Sequence, residues 1–265
     1  MATQQLERPS GLTPFGTRVL VTGGSRGIGL AGAESLAHAG CDVVLNHFGD
    51  GVKARTECER LQRETGRRVF EIDADVADSK AARQMVRDAA RQLGGIDILF
   101  SNAGICQFTP FLDITDAIWQ RHVSVNFSGM FHVCQESAQI MAAAGEGGRI
   151  VITSSVGAFR SNPTQTHYCA TKGGVQLLAS GMSLELAPLG ITVNCIAPGW
   201  IHTDINDSQS RDTASVEPWL KANCPVGRLG QPQDLPGAVL LLASREAGYI
   251  NGATITIDGG WNCQL

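Results

Sequence analysis

The chain has 265 residues, of which 43% are hydrophobic, so it is long enough to bury the core of one α/β domain. Its formal net charge of −4 gives no attraction for nucleic-acid phosphates or anionic lipids, and we expect neither nucleic acid nor a membrane as a partner. Residues 1–15 are polar and predict a flexible N-terminal tail, which leaves residues 16–265 as a single domain.

The eight cysteines show neither paired Cys-x-x-Cys spacing nor the Cys and His spacing of a metal site. This pattern predicts reduced thiols in a cytoplasmic protein and no bound metal. Residues 1–15 lack the apolar stretch of a secretory signal, and no apolar run approaches the roughly 18 residues of a membrane span.

Short runs rich in Val and Ile alternate with longer amphipathic segments, a pattern typical of a parallel sheet with helices on both faces. The predicted strands are 18–22, 42–46, 69–73, 96–101, 150–153, 192–197 and 254–257. The predicted helices are 27–39, 52–65, 79–93, 123–144, 168–189 and 231–243. The fold class is therefore α/β, a doubly wound seven-stranded parallel sheet. Residues 199–229 have little periodicity and predict a mobile lid.

A glycine-rich segment, Thr22 to Gly29, follows the first predicted strand and opens the first predicted helix. Gly23, Gly27 and Gly29 permit a tight turn and a close backbone approach, while the helix N-terminus directs amide groups at a pyrophosphate. The segment predicts a dinucleotide site.

The end of the second strand bears on the choice of dinucleotide. NAD favours an acidic residue there, but the sequence runs Asn46, His47, Phe48. With Ser25 and Arg26 in the glycine turn, the sequence favours NADP, with NAD as the alternative. A competing interpretation makes His47 a surface loop histidine and Arg26 a solvated charge.

Tyr168 and Lys172 stand four residues apart on a predicted helix and therefore share one face. The Lys172 ammonium is expected to lower the pKa of the Tyr168 phenol by about three units from its ordinary value near 10. Ser155 would hold a substrate oxygen while Tyr168 exchanges its proton and a neighbouring nicotinamide exchanges hydride.

From Arg18 to Gly260 the chain resembles a short-chain dehydrogenase/reductase. The matching positions are Thr22 to Gly29, Asp75, Val76, Asn102, Ala103, Gly104, Asn126, Ser155, Tyr168 to Lys172, Pro198 and Gly199. One departure is Ser101, where the family usually has asparagine. Taken singly, Asp75 and Gly104 are also explained as ordinary turn residues.

The resemblance implies a Rossmann-like fold, a homotetramer and an active site in which Asn126 holds a water for proton relay. It also implies that the Ile201 main chain and the Thr203 hydroxyl hold the nicotinamide end. The expected catalytic residues are Asn126, Ser155, Tyr168 and Lys172. The expected cofactor-binding residues are Gly23, Ser25, Arg26, Gly27, Ile28, Gly29, His47, Asp75, Val76, Asn102, Ala103, Gly104, Tyr168, Lys172, Pro198, Gly199, Ile201 and Thr203.

The more variable segments are Ser101 to Cys106, Phe111 to Asp113, Gln165 to Tyr168, Thr203 to Asn206, and Gly259 and Gly260 near the C-terminus. These segments are similar to those of aldose 1-dehydrogenases acting on L-rhamnose, which oxidise the anomeric carbon to a lactone. Trp200 stands where that group usually has a small polar residue, which suggests a hexose modified at carbon six. That carbon is either deoxygenated or carries an anion, with Arg160 and His202 as partners for the anion. The expected substrate-binding residues are Ser155, Gln165, Tyr168, Trp200 and Asn206.

Two other functions stay open at this point. One is a carbonyl reductase acting on 3-oxoacyl groups or other ketones. The other is a cofactor-binding protein without catalysis. The competent residue types at Asn126, Ser155, Tyr168 and Lys172 favour an enzyme.

Overall fold

A single parallel sheet forms the centre of the molecule. The computed structural model describes residues 11–203, 218 and 223–263. Within them the seven strands lie in the order β3-β2-β1-β4-β5-β6-β7, and every neighbouring pair is parallel. This confirms the predicted fold class. The strands are β1 (Arg18–Val21), β2 (Asp42–His47), β3 (Val69–Asp73), β4 (Ile98–Ser101), β5 (Gly148–Thr153), β6 (Ile191–Pro198) and β7 (Thr254–Ile257).

Helices connect these strands across both faces. They are α1 (Gly27–His38), α2 (Gly51–Thr65), α3 (Ser79–Leu93), α4 (Asp116–His122), α5 (Met130–Ala144), α6 (Thr166–Leu186) and α7 (Pro236–Leu242). A π-helical segment, Val123–Gly129, joins α4 to α5. Short 3₁₀ turns lie at Phe111–Asp113, Val156–Ala158, Ala187–Leu189, Pro232–Asp234 and Trp261–Cys263.

Two of the predicted helices differ from the observed ones by more than three residues at their first residue. The predicted helix 123–144 begins earlier, at Asp116, because the Thr115 side chain accepts a hydrogen bond from the Ile118 amide and caps the new first turn. The predicted helix 231–243 is divided into a 3₁₀ turn and α7. Pro236 begins α7, since proline lacks the amide that would continue the preceding turn.

The hydrophobic core has two halves, one on each face of the sheet. On one face Leu20 and Leu99 pack with residues of α3, α5 and α6. On the other, Val21 and Phe100 pack with residues of α1, α2 and α7. Gly32 allows α1 to lie close to the sheet, since a Cβ there would be 2.5 Å from Cε1 of Phe100. Burial on both faces explains the near-continuous apolar runs of the strands.

The segment before β1 is bound to the body of the protein from Thr13 onward. The Thr13 amide donates to the Glu246 carboxylate at 3.1 Å, and the Phe15 amide donates to the Ala243 carbonyl at 2.9 Å. The Arg149 guanidinium lies 4.0 Å from the centre of the Phe15 ring. Residues 13–15 therefore contact the body of the protein, residues 1–10 lie outside the described residues, and the flexible tail of residues 1–15 stays a prediction.

The cysteines are unpaired, and seven of the eight are buried, as the prediction of reduced thiols requires. Across residues 11–203 and 223–263, no cluster of His, Cys, Asp and Glu is arranged to hold a metal ion. In the same part of the chain, none of the helices combines the length and apolarity needed to cross a membrane. Of the predicted lid, residues 204–217 and 219–222 lie outside the described residues.

Candidate active site

A cleft of about 360 Å³ lies over the carboxyl ends of the central strands. It includes the switch point between β1 and β4, where doubly wound sheets bind ligands. Most of the predicted site residues line it. They are Gly23, Ser25, Arg26, Gly27, Ile28, His47, Asp75, Val76, Asn102, Ala103, Gly104, Ser155, Gln165, Tyr168, Lys172, Pro198, Gly199, Trp200, Ile201 and Thr203. Gly29 and Asn126 lie behind the cleft wall, and Asn206 is outside the described residues.

The glycine loop has the geometry of a phosphate cradle. Gly23 and Gly27 adopt positive φ angles of 63° and 55°, which side chains other than glycine rarely tolerate. Arg26, the residue before α1, makes no side-chain cap to that helix. The first amides of α1 have no intrahelical partner, so they can bind an anion. These features fit the pyrophosphate of a dinucleotide.

Gly29 closes the loop against its own beginning. A Cβ at this position would lie 2.1 Å from the Gly23 carbonyl oxygen, which is backbone and cannot move aside cheaply. We expect Gly29→Ala to displace the cradle and reduce dinucleotide affinity at least about tenfold. Titration of NADPH fluorescence measures this change.

Gly237→Ala is the matched control, because a Cβ at Gly237 in α7 meets no atom within 4 Å. It is expected to bind the dinucleotide like the parent protein. Equal affinities for the parent and the Gly29→Ala variant would contradict the assigned role of Gly29.

Asn102 joins three strands beneath the cradle. Its side-chain amide donates to the Thr22 and Gly23 carbonyls at 3.2 and 3.3 Å, and its side-chain oxygen accepts from Thr153 Oγ1 at 3.1 Å. Thr22 Oγ1 in turn accepts from the amides of Asn102 and Ala103. The loops after β1, β4 and β5 are therefore fixed relative to one another.

Ser155, Tyr168 and Lys172 converge at the floor of the cleft. Ser155 follows β5, and its hydroxyl is in hydrogen-bond contact with the Tyr168 phenol. Lys172 lies one helical turn after Tyr168 in α6, with its Nζ 5.8 Å from the centre of the tyrosine ring. The Lys172 ammonium also donates to the Thr153 carbonyl at 2.8 Å, which holds it beside the phenol.

Burial dominates the titration of this cluster. It raises the pKa of Tyr168 well above its ordinary value and lowers the pKa of Lys172 to about 8, because both charged forms lose solvation. The hydrogen bond from Ser155 lowers the pKa of Tyr168 only in part. The expectation that Lys172 lowers the tyrosine pKa overall is therefore wrong for the protein alone. Additional positive charge beside the phenol would favour its ionised form.

Asn126 lies in the π-helical segment, a helix type often found at functional sites. Its side-chain oxygen accepts from the Ile105 amide at 2.8 Å, and its side-chain nitrogen donates to the Ile105 carbonyl at 2.9 Å. That nitrogen also contacts Thr171 Oγ1 in α6 at 3.3 Å. The side chain thus holds the segment after β4 against α6, and its predicted role in proton relay stays a prediction.

At the end of the cleft formed by β2 and the glycine loop, the structure differs from the competing interpretation of His47. His47 is not a surface loop histidine, because it is the last residue of β2, is buried, and lies 2.8 Å from the Glu71 carboxylate. A carboxylate is also present at this end. Asp50 lines the cleft with Oδ2 3.2 Å from Ser25 Oγ and 3.3 Å from the Arg26 guanidinium.

Sequence reasoning missed Asp50 because it considered only the end of the second strand. An acidic residue just before a predicted helix was the available signal. It also missed Arg121, which lines the cleft from α4 and binds the Asp75 carboxylate at 2.8 Å. No motif surrounds Arg121, so no sequence signal distinguishes it from other surface arginines.

The opposite end of the cleft combines side-chain amides with aromatic rings. Asn162 donates to the Gln165 side-chain oxygen at 3.2 Å, and Thr164 between them has a positive φ of 66° that turns the chain. Trp200 packs edge-on against Phe108 with ring centres 6.0 Å apart. Gln165, Trp200 and Tyr168 all line the cleft, and their roles in substrate binding stay predictions.

Further lining residues were missed, among them Cys106, Asn162 and Trp261. The two expected anion partners do not reach this end. Arg160 donates to the Asn262 carbonyl at 2.7 Å, and neither Arg160 nor His202 lines the cleft.

Comparison with known proteins agrees with this geometry. A family model described as enoyl-(acyl carrier protein) reductase matches residues 23–262. The L-rhamnose 1-dehydrogenase (NAD(P)(+)) of a Sphingomonas species is 40% identical over 94% of this chain and 98% of that protein. The chain belongs to the short-chain dehydrogenase/reductase family.

Other members of this family differ in substrate. The 3-oxoacyl-[acyl-carrier-protein] reductase of Staphylococcus aureus is 37% identical over 91% of this chain and 96% of that protein. A gluconate 5-dehydrogenase from Burkholderia cenocepacia, solved with NADP and tartrate, is 37% identical with a TM-score of 0.88. It covers 94% of this chain and 96% of its own. The protein is an NAD(P)-dependent dehydrogenase of this family.

Proposed function

We propose that this enzyme oxidises an aldose at its anomeric carbon to the lactone, and that the sugar is L-rhamnose or another hexose modified at carbon six. The observation that carries the proposal is the amide and indole wall beside Tyr168, formed by Gln165, Asn162 and Trp200. Amides donate to and accept from adjacent sugar hydroxyls, while an indole packs on the apolar face of a sugar ring. The name of the Sphingomonas relative supports the same substrate class.

The charge of the cleft favours a deoxygenated carbon six over an anionic one. None of the described side chains at the amide and indole wall is cationic. They are Cys106, Val156, Asn162, Gln165, Trp200 and Trp261. Arg160 is directed at the Asn262 carbonyl instead. A carboxylate or phosphate on the sugar would find no cationic partner among these described side chains, which costs binding free energy.

The chemistry is assigned to the residues at the cleft floor. A nicotinamide held in the cleft would supply the acceptor for the hydride of the anomeric carbon. The Ser155 hydroxyl positions the anomeric oxygen and Tyr168 takes its proton, so that loss of hydride and proton leaves the lactone carbonyl. Lys172 supplies positive charge beside the phenol.

The dinucleotide is proposed to lie along the remainder of the cleft. The glycine loop and the first turn of α1 would hold the pyrophosphate, and Ile201 and Thr203 the nicotinamide end. Ile201 and Thr203 both line the cleft, and Thr203 Cγ2 would lie 3.4 Å from a Cβ built on Gly27, so Thr203 faces the glycine loop. Asn126 is proposed to support proton relay through the π-helical segment.

The second candidate function is reduction of a 3-oxoacyl group or another ketone. The Staphylococcus aureus relative and the name of the family model favour it. Both reactions use the same Ser155, Tyr168 and Lys172 cluster. The amide and indole wall must therefore determine whether the enzyme accepts a sugar or a ketone. Cofactor binding without catalysis is disfavoured because all three side chains meet in one place.

A panel of substrates tests the proposal. L-rhamnose, other 6-deoxyhexoses, their 6-hydroxyl parents and uronic acids are offered with NAD and with NADP, and 3-oxoacyl thioesters and simple ketones with the reduced cofactors. We expect reduction of cofactor with 6-deoxyhexoses and formation of a lactone. Activity confined to ketones or thioesters would establish the second candidate instead.

We also propose that the enzyme is a homotetramer in the cytoplasm. Leu177 and Leu184, two turns apart on α6, are 78% and 76% exposed, which suits an apolar contact with another subunit. Buried thiols such as Cys41 and Cys106, whose pKa is raised to about 12 by burial, suit a reducing compartment. Sedimentation of the protein as a monomer would contradict the tetramer.

A further inference from the structure

His122 and His167 form a buried pair of imidazole rings beside the catalytic helix. His122 is the last residue of α4 and is 1% exposed, while His167 precedes Tyr168 in α6 and is fully buried. The two rings pack edge-on with their centres 4.1 Å apart. Neither ring takes part in the proposed chemistry, yet a buried polar ring is costly unless its nitrogens find partners. The partners of this pair therefore indicate what the pair does.

The hydrogen bonds of His122 define its tautomer. Its Nδ1 lies 2.8 Å from the Ile118 carbonyl, which can only accept, so Nδ1 carries the proton. Its Nε2 accepts from the Gln107 amide at 3.1 Å. Among the described residues, neither ring nitrogen of His167 makes a well-formed hydrogen bond, although the Gln107 main chain is close enough to raise the pKa of His167 in part. The Gln107 main chain thus lies beside both rings.

Gln107 belongs to the segment after β4, which is held at every second residue. The Asn126 side chain bonds both main-chain groups of Ile105. His122 holds the amide of Gln107, and the amide of Thr109 donates at 2.8 Å to a main-chain carbonyl of the turn before α6. Of these three anchors, the one at Gln107 depends on a titratable side chain.

The two residues between these anchors support the amide and indole wall. Cys106 lines the cleft, with its Sγ 3.6 Å from the side-chain nitrogen of Gln165. Phe108 packs edge-on against Trp200, with ring centres 6.0 Å apart. A displacement of Gln107 would therefore disturb an amide and an indole of the wall together.

We propose that His122 is a positioning residue for the amide and indole wall, which it holds in place only while its imidazole is neutral. A neutral ring presents the lone pair of Nε2 to the Gln107 amide. A protonated ring presents an N–H group there instead, so that two donors face each other and the hydrogen bond is lost. Substrate binding at the wall should therefore weaken when the ring gains a proton.

The surroundings of His122 favour the neutral ring. Burial lowers its pKa below the ordinary 6.5, and the positive charge of Arg121 in the same helix and the His167 ring of α6 lower it further, while the carbonyl at Nδ1 raises it only in part. These are the charged or titratable groups of the described chain that act on it. The thiol of Cys106, next to Gln107, is neutral because burial raises its pKa to about 12. The hydrogen bond to Gln107 is thus intact at pH 8 and is lost in acid, below pH 6.5.

The inference rests on the proposed function in one respect, namely that the substrate lies against this wall. The test uses whichever substrate of the panel is turned over, sugar or ketone, so a wrong sugar assignment does not decide it. His122→Phe keeps an aromatic ring but has no acceptor for the Gln107 amide. At pH 8 we expect it to raise the substrate KM about tenfold, the effect of losing one hydrogen bond, with kcat and NADPH affinity close to the parent values.

His122→Gln supplies the rescue, because its side-chain oxygen can accept a hydrogen bond and does not titrate. It should recover part of the KM at pH 8. As the pH falls from 8 to 5, the KM of the parent should rise several-fold more than the KM of His122→Gln. Titration of Tyr168 and Lys172 affects both proteins alike and cancels in this comparison.

His132→Gln is the matched control. His132 lies in α5, its pKa is also lowered by burial, and it does not line the cleft. The rise of KM in acid should be the same in this variant as in the parent. An equal rise in the two glutamine variants would assign the titration to another group and overturn the inference.

Two further results would also contradict it. A parent-like KM at pH 8 in His122→Phe would mean that the Gln107 hydrogen bond does not position the wall. An equal loss of NADPH affinity and substrate affinity in His122→Phe, together with a parent-like rise of KM in acid for His122→Gln, would give His122 a purely structural role. Failure of the proposed function is seen instead in which substrate is turned over, so the two failures are distinguishable.

Discussion

Tyr168→Phe is expected to lower kcat for sugar oxidation by about 10²–10⁴-fold while the dinucleotide still binds. The change removes the phenol oxygen that contacts Ser155 and leaves the ring in α6. The proton of the sugar hydroxyl then has no acceptor at the cleft floor. Steady-state kinetics at saturating sugar measure kcat, and NADPH fluorescence measures the cofactor affinity.

The chain offers a matched control, because it contains only one other tyrosine. Tyr249 is fully exposed and does not line the cleft, so Tyr249→Phe should keep the parent kcat. A Tyr168→Phe variant that retains the parent turnover would refute the assignment of the phenol as acid and base. A loss of NADPH binding in that variant would show a structural role instead.

The sheet was predictable from sequence because its strands are buried on both faces. β3 and β7 begin and end at the predicted residues. α3 also matches, since Asp78 accepts hydrogen bonds from two amides of its first turn and Gly94 ends it in a left-handed conformation. These signals are local, so an isolated sequence carries them.

The catalytic cluster was predictable for a similar reason. Tyr168 and Lys172 lie one turn apart on one helix, so their proximity follows from helix geometry. Only the direction of the tyrosine pKa was wrong, because burial depends on how α6 packs against the rest of the fold. Desolvation cannot be read from the spacing of two residues.

The parts of the site that were missed come from segments distant in sequence. Asp50 meets Arg26 across the cleft, and Arg121 reaches Asp75 from α4. Trp261 joins the substrate wall from the turn after β7. Each contact depends on the placement of whole elements by the sheet, which a pattern within one segment does not define.

Lys172→Met is expected to cost activity and to increase stability. The buried ammonium has a pKa of about 8 instead of the ordinary 10.5, because burial removes the charged group from water. At pH 7 the lysine is still mostly charged, so folding has to supply the free energy of this desolvation. That difference corresponds to about 3 kcal/mol, from which the lost hydrogen bond to the Thr153 carbonyl subtracts about 1 kcal/mol. Urea denaturation at pH 7 should therefore show a free energy of unfolding about 2 kcal/mol above the parent, with kcat reduced about a hundredfold.

The pH dependence separates this explanation from a simple gain in packing. Between pH 8 and 10.5 the unfolded parent binds the Lys172 proton while the folded parent has released it, so the parent gains stability as the pH rises. The advantage of Lys172→Met should shrink over that interval. Lys80→Met, at an exposed position of α3, should show neither the gain at pH 7 nor the pH dependence. A stability advantage that stays constant up to pH 10 would mean that the Lys172 pKa is the same in the folded and unfolded protein, and the gain would then come from packing and not from removal of a desolvated charge.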